Sequence, residues 1–312
     1  MRIILGLVIL SLSGVAFAQT SAGSSSAPET ALVNDKDEIV VEGPPAFRER
    51  RRELRQFTSE LLKRPRPGLT IGTYFSPICP KVFGIPEEQA TVIEKRIRDN
   101  AAALGANRRN LSDDCKNNAS VIFVSANKGT ADQWMTTNSD LLDHLLLWQR
   151  QRVLSEQGPV RAWSYSGVRG FNGERIASRP VRGLGSIADA ANKIPFASRL
   201  SLPISVEVTG SVVMIELAQA NGKTLTQLAD YATMRTLANT NGLDPQSVPA
   251  APTILTLFQD EDAPAELTQF DRSLISGLYS TTTRGRENRF YSRIAHIAAK
   301  DEAATLEISS AP

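Results

Sequence analysis

Apolar residues recur along this chain with two periods, and each predicts a different element. From Pro86, the residues Ala90, Ile93, Ile97, Ala101 and Leu104 repeat every three or four positions until Gly105, the spacing of one helix face with proline at its start and glycine past its end. The run "ASVIFVSA" from Ala119 is β-branched and continuous and predicts a buried strand, and "LTIGTYFSPIC" ahead of the helix predicts another. Residues 139–154 form a second helical stretch, with Leu141, Leu142, Leu145, Leu146 and Trp148 on a broad apolar face. Strand patterns return in "VRAWSYSGV", "SRLSLPISVEVT" and "SVVMIEL". The segment "NGKTLTQLADYATMRTL" then reads as a helix whose Thr224 and Gln227 stand in capping-box spacing. After a polar loop and the short run "TILTLF", Leu267, Phe270, Leu274 and Leu278 mark a helix opened by Thr268 and Asp271, and a last helix is expected over 287–300. Interleaved helices and strands predict an α+β fold, a mixed twisted sheet covered on one side by packed helices, in a single domain over residues 69–303.

The ends of the chain read differently. Arg2 precedes an apolar run that closes on Ala16-Phe17-Ala18, the pattern of a secretory signal peptide over residues 1–18, cleaved after Ala18, which places the mature chain in the periplasm or outside the cell. Residues 19–45, rich in Ser, Ala, Pro and acids, are expected to be a disordered acidic leader. Its β-prone island "DEIVVEG" is similar to segments that follow the signal peptide in exported alpha-proteobacterial proteins. Over residues 46–68, Phe47, Leu54, Phe57, Leu61 and Leu62 recur at helical spacing among arginines, which predicts a basic amphipathic helix and linker. Its apolar stripe is expected to dock on the domain, with peripheral contact to an anionic membrane as the alternative. The Gly-, Pro- and Arg-rich stretch 167–198 reads as a long excursion or lid, and residues 304–312 as a disordered tail.

Charge and cysteines narrow the classes. Lys and Arg total 35 against 33 Asp and Glu, so no net field supports nucleic-acid binding. Cys79 and Cys115 flank the helix that Pro86 opens, and in an oxidising compartment they are expected to form a disulfide. Ser125 and Lys128 spell S-x-x-K, but at a strand end rather than a helix start and without the partner motifs of penicillin-recognising enzymes, so a turn is expected. Gly183, Gly185 and Ala188 match a dinucleotide fingerprint that no hydrophobic strand feeds, which predicts a loop. His144 and His296 belong to no metal-ligand spacing and are expected to be partly buried structural residues. No cofactor and no metal are expected.

The element order, with "QLADYATMR" and "FDRSLISGLYS", resembles the zinc metallopeptidases called zincins over roughly residues 69–300, and more broadly an uncharacterised family of exported alpha-proteobacterial proteins. In zincins the active-site helix follows the edge strand of a twisted sheet and carries two zinc-binding histidines with a glutamate as general base. The resemblance lays Ala229, Asp230 and Thr233 over those three positions, and it therefore implies a zincin-like topology that has lost its metal. Taken without the resemblance, the helix packs inward through Leu225, Leu228, Tyr231 or Ala232, Leu237 and Met234, with Asp230 and Arg235 outward or locally paired. The leading expectation is a non-catalytic exported protein that binds a peptide or protein along the groove of a degenerate peptidase fold, by addition of a strand to a sheet edge. Two alternatives stand beside it: a metal-independent hydrolase built on Asp230 and Glu216 with Tyr231 nearby, and a membrane-surface adaptor acting through the basic helix. Nothing in the pattern fixes an oligomeric state.

Overall fold

The structure is a computed structural model that describes residues 45–63, 69–106, 115–125, 127, 129–170, 172–176, 202–244 and 246–310. The stretches expected to be a signal peptide and most of an acidic leader, the dinucleotide-like glycines and most of residues 167–198 lie outside these residues. Helix α1 spans Pro45–Leu61, followed by strands β1 (Thr73–Tyr74) and β2 (Pro80–Phe83), helix α2 (Glu87–Ala103) and strand β3 (Ala119–Val124). Helices α3 (Ala131–Thr137) and α4 (Leu147–Ser155) lead to strands β4 (Val160–Arg169), β5 (Arg175–Ile176) and β6 (Ser205–Glu216). A single turn, α5 (Leu217–Ala220), precedes α6 (Leu225–Leu237), α7 (Gln269–Ser280) and α8 (Glu287–Ser310).

The fold is α+β around one mixed sheet, ordered β2-β3-β6-β4-β5, with β1 also pairing β6. β1 and β3 run parallel to β6, β2 runs parallel to β3, and β4 is antiparallel to both β6 and β5. "SRLSLPISVEVT" and "SVVMIEL" prove to be largely one strand, because Gly210 carries β6 past a register shift at Tyr165 and Ser166 of β4 without breaking the ladder. Of "LTIGTYFSPIC" only Thr73 and Tyr74 are strand, while β2 was not foreseen, its Val82 and Phe83 being too short a run to read.

Helices cover both faces of the sheet, where one face was expected. The reason is the unbroken apolar run in β6: Val213 and Ile215 join the large cluster under α1, α2, α6, α7 and α8, while Val212 and Met214 join a smaller one with Met135, Leu142, Val153 and Trp163. A strand apolar on both faces has to be covered twice. The thin second layer also explains why residues 139–154 are not one helix. A 3-10 turn over Ser139–Leu142 buries Leu142, then Leu146 goes extended (φ −68°, ψ 151°) and α4 restarts with Gln149 Oε1 accepting from Leu146 N at 3.0 Å. Helix α1 docks as expected, burying Leu54, Phe57 and Leu61, with the Phe57 and Phe270 rings 5.1 Å apart. The last helix runs on to Ser310 rather than stopping near Lys300.

Cys79 and Cys115 are bonded, their Cα atoms 5.9 Å apart and their positions 36 residues apart in sequence. The chain-entropy argument assigns such a loop on the order of 4 kcal/mol. Cys79→Ser should therefore lower the denaturant midpoint substantially, and reduction of the native protein should reproduce the shift. Two titrating thiols in denatured, unreduced protein would contradict the bridge.

Candidate functional site

The helix that carries the sequence candidates, α6, forms for local reasons: Thr224 accepts from Gln227 N at 3.1 Å and Gln227 Oε1 accepts from Thr224 N at 3.0 Å, a complete capping box. The pattern correctly places Leu228, Met234 and Leu237 inward; Asp230 and Arg235, expected outward or locally paired, are both buried, Arg235 pairing with Tyr231 one turn back on the same helix.

Asp230 is wholly enclosed and saturated. Arg96 Nε donates to Oδ1 at 2.9 Å and Arg96 Nη2 to Oδ2 at 2.8 Å, Asn100 Nδ2 donates to Oδ1 at 2.7 Å, and Leu267 N donates to Oδ2 at 2.8 Å. A bidentate guanidinium, an amide and a peptide N–H make this a clamp that ties α6 to α2 and to the segment entering α7. A carboxylate whose four acceptor positions are all taken has none left to receive a proton from a substrate. Ala229 and Thr233, the other positions of the metallopeptidase register, are equally buried, and Thr233 Oγ1 accepts from Asn100 Nδ2 at 3.1 Å. Among the described residues no three His, Cys, Asp or Glu side chains gather as metal ligands.

Glu216 lies elsewhere. Along β6 it continues the row of Val212 and Met214, the side of the sheet opposite α6, and its Oε1 accepts from Ala131 N at 2.6 Å at the start of α3. The structure therefore separates Asp230 and Glu216 across the sheet. Ser125 hydrogen-bonds Asn127, and Lys128 is outside the described residues. His144 and His296 are exposed, not partly buried; they stand edge-on to Tyr165 and Phe47. The apolar stripe of α1 is taken up in the core, so membrane contact there would rest on exposed arginines such as Arg51 and Arg52 alone.

Tyr231 belongs to a second polar group that the pattern did not reveal. Its hydroxyl accepts from Arg235 Nη1 at 3.1 Å, Arg235 Nη2 pairs with Glu156 Oε1, and Glu156 Oε2 accepts from Ala162 N at 3.3 Å on β4. Lys63 Nζ donates to the carbonyl of the same Ala162 at 3.1 Å. Burial raises the Tyr231 phenol, with Arg235 opposing. Burial pushes the Lys63 ammonium down to about 7, assisted by Arg235 and Arg152 and opposed by Glu156. A third group, Glu207, is buried between Arg169 and Arg175, which each grip it through two bonds of 2.9 Å. Burial works against the Glu207 charge, but the two guanidiniums prevail and hold its pKa below the usual carboxylate value.

Arg96 and Asn100 had one signal in the sequence: they lie three residues after Ile93 and Ile97, flanking the apolar stripe of α2. Lys63, Glu156 and Arg235 had none, because only the fold brings positions so far apart together.

Two stretches of the sheet's edge have backbone groups taken by side chains. On β2, Pro80 lacks an N–H and Val82 N donates to Glu94 Oε1 at 2.9 Å. On β4, where β5 does not reach, Ala162 is held by Glu156 and Lys63. Such plugs are one way edges are kept from pairing with other chains, and they disfavour strand addition at these particular positions.

No family model matches this chain, and neither does any curated protein or solved structure.

Removing one partner of the Asp230 clamp leaves the others buried and unpaired. Asp230→Ala should cost about 3 to 5 kcal/mol in denaturant unfolding, comparable to the roughly 2 to 5 kcal/mol expected for Leu228→Ala. A near-neutral Asp230→Ala would contradict the clamp. Lys63 gives a pH signature. Between about 7 and 10.5 the unfolded chain holds a proton at Lys63 that the folded chain does not, so stability should rise with pH across that window and the cost should be complete below it. Lys63→Met should flatten this slope when unfolding is measured against pH.

Proposed function

We propose that the mature chain is an exported, non-catalytic protein that binds a protein partner through the outer face of α4. One observation carries the reading: Leu147 and Leu154, a heptad apart on α4, are 72 % and 47 % exposed, with Leu146 beside them at 44 %. The helix, "LWQRQRVLS", carries Arg150 and Arg152 and no acid. Arg152 stacks on Trp148, its guanidinium carbon 5.0 Å from the ring centroid. Leucines beside arginine and tryptophan suit the centre of an interface better than open solvent, since burying a leucine contributes about 1.5 to 3 kcal/mol. The partner that fits is a segment with apolar residues on one face and acids on its flanks.

The engagement of Asp230 and Glu216 in structural bonds supports the non-catalytic half of the reading. Export is supported by the disulfide and by the signal-like N-terminus. Among the described residues no helix is long and apolar enough to cross a membrane. α6 follows β6, an inner strand, where the active-site helix of zinc metallopeptidases follows an edge strand, and the partner-binding proposal does not depend on that likeness.

A photo-crosslinking residue in place of Leu147 or Leu154 should yield one discrete adduct with a different protein in the native exported fraction, absent from a control at Arg52. Adding Arg152→Glu should suppress the adduct. An adduct between two copies of this chain, or equal yield at Arg52, would count against the proposal.

A further inference from the structure

Helices α1 and α8 pack against each other and join two cationic flanks into one face. On α8, Arg289, Arg293 and Lys300 are exposed, and helical periodicity sets them within about 40° of one another, opposite the buried Ile294 and Ala298. This stripe runs roughly 16 Å along the helix axis. No acid occurs from Asn288 to Lys300. On α1, the same periodicity puts Arg51, Arg52 and Arg55 on one side of the buried Leu54, Phe57 and Leu61, and Glu49, Glu53 and Glu60 on the other. The arginine side is the one beside the α8 stripe, because Arg55 Nε donates to Ser292 Oγ at 3.2 Å and Arg55 Nη2 to Asn288 Oδ1 at 3.1 Å. Both acceptors are neutral, so neither offsets the Arg55 charge.

Elsewhere on the surface exposed cations meet acids, as Lys81 meets Glu94, Lys95 meets Asp99 and Arg272 meets Glu266. Here Arg51, Arg52, Arg289, Arg293 and Lys300 have no acidic partner among the described residues, while Glu53 and Glu302 are both taken by Arg50. The chain as a whole is nearly neutral, with 35 basic against 33 acidic residues, so the positive field belongs to this face and not to the protein at large. The apolar stripe of α1 is taken up in the core, and no large apolar side chain stands exposed between Arg289 and Lys300. The face therefore lacks the buried anchors that centre a protein interface. An array of phosphates needs none, since clustered basic side chains on a helix are drawn to an anionic headgroup layer by charge alone. We propose that α1 and α8 dock the protein peripherally on an anionic phospholipid membrane, with their arginines against the headgroup phosphates and no side chain inserted. Different residues carry this surface and the α4 surface, and the two stand or fall independently.

Vesicle flotation of the protein purified from the exported fraction tests it, with equal parts phosphatidylglycerol and phosphatidylcholine as the probe and phosphatidylcholine alone as the control. The protein should float with the anionic vesicles at about 0.1 M salt, stay behind with the neutral ones, and detach toward about 1 M, where the screening length falls to about 3 Å. Each basic side chain near such a surface is worth about fivefold in partition, so Arg289→Gln with Arg293→Gln should lower it about 25-fold. Arg289→Lys with Arg293→Lys should keep it. Lys81→Gln with Lys95→Gln removes the same charge elsewhere and should leave partition unchanged. All four side chains are exposed, so these variants leave the core intact. Failure to float, equal flotation with neutral vesicles, binding that survives high salt, or an equal loss from the Lys81 and Lys95 pair would each overturn the proposal. If flotation fails while a photo-crosslinking residue in place of Arg293 captures an acidic protein, the face belongs to a protein partner instead.

Discussion

Strand β6 is the constraint on which the rest of the structure depends. Its residues are apolar on both faces, so it has to lie inside the sheet and has to be covered twice. From that follow β4 along one edge, β1 and then β3 along the other, a thick helical layer over Val213 and Ile215, and a thin one over Val212 and Met214. The polar residues of β6 are then placed by alternation. Ser211 accepts from the Tyr74 hydroxyl at 2.6 Å, Glu207 meets two arginines near the start of the strand, and Glu216 reaches the N-terminus of α3 at its end.

Burying so much chain also buries charge, and the molecule answers in three ways. Asp230 is saturated by donors from two other segments and works as a tie between helices. Asp271, buried in the first turn of α7, takes the Thr253 hydroxyl at 2.6 Å and the N–H groups of Ile254 and Thr268; burial nevertheless leaves its pKa raised. The group of Lys63, Glu156 and Arg235 differs from both, because Arg235 Nε is buried without a partner among the described residues. A structural ion pair contributes by being complete. An incomplete one costs free energy in the folded state, and that cost is typical of places where function is exerted.

The sequence made the elements legible where local physics decides them. Pro86 and Gly105 bound α2, and the capping boxes at Thr224 and Thr268 start α6 and α7 where expected. It failed where tertiary contacts decide. Asp230 sits in a helix with few charges and reads as an exposed carboxylate, because the residue that buries it, Arg96, lies 134 positions earlier. The leucine-rich stretch after Ser139 reads as one helix by count, yet a thin layer needs a bend there, so Leu142 turns in while Leu146 and Leu147 turn out. The mixed sheet is legible as a class, whereas its second covered face is not, because a β-branched run such as "SVVMIEL" marks a strand without showing whether one face or both are covered.

The plugged edges connect these readings. A sheet whose outer strands were open would recruit partners by backbone pairing, with little dependence on side chains. Here Glu94 takes the free N–H of Val82 on one side, and Glu156 with Lys63 takes both free groups of Ala162 on the other. The backbone groups of these stretches are thereby taken by side chains of the same chain, and Lys63 and Glu156 act together as one such plug. Loss of the Lys63 contact would leave the Ala162 carbonyl without that donor on a stretch of β4 that β5 does not reach.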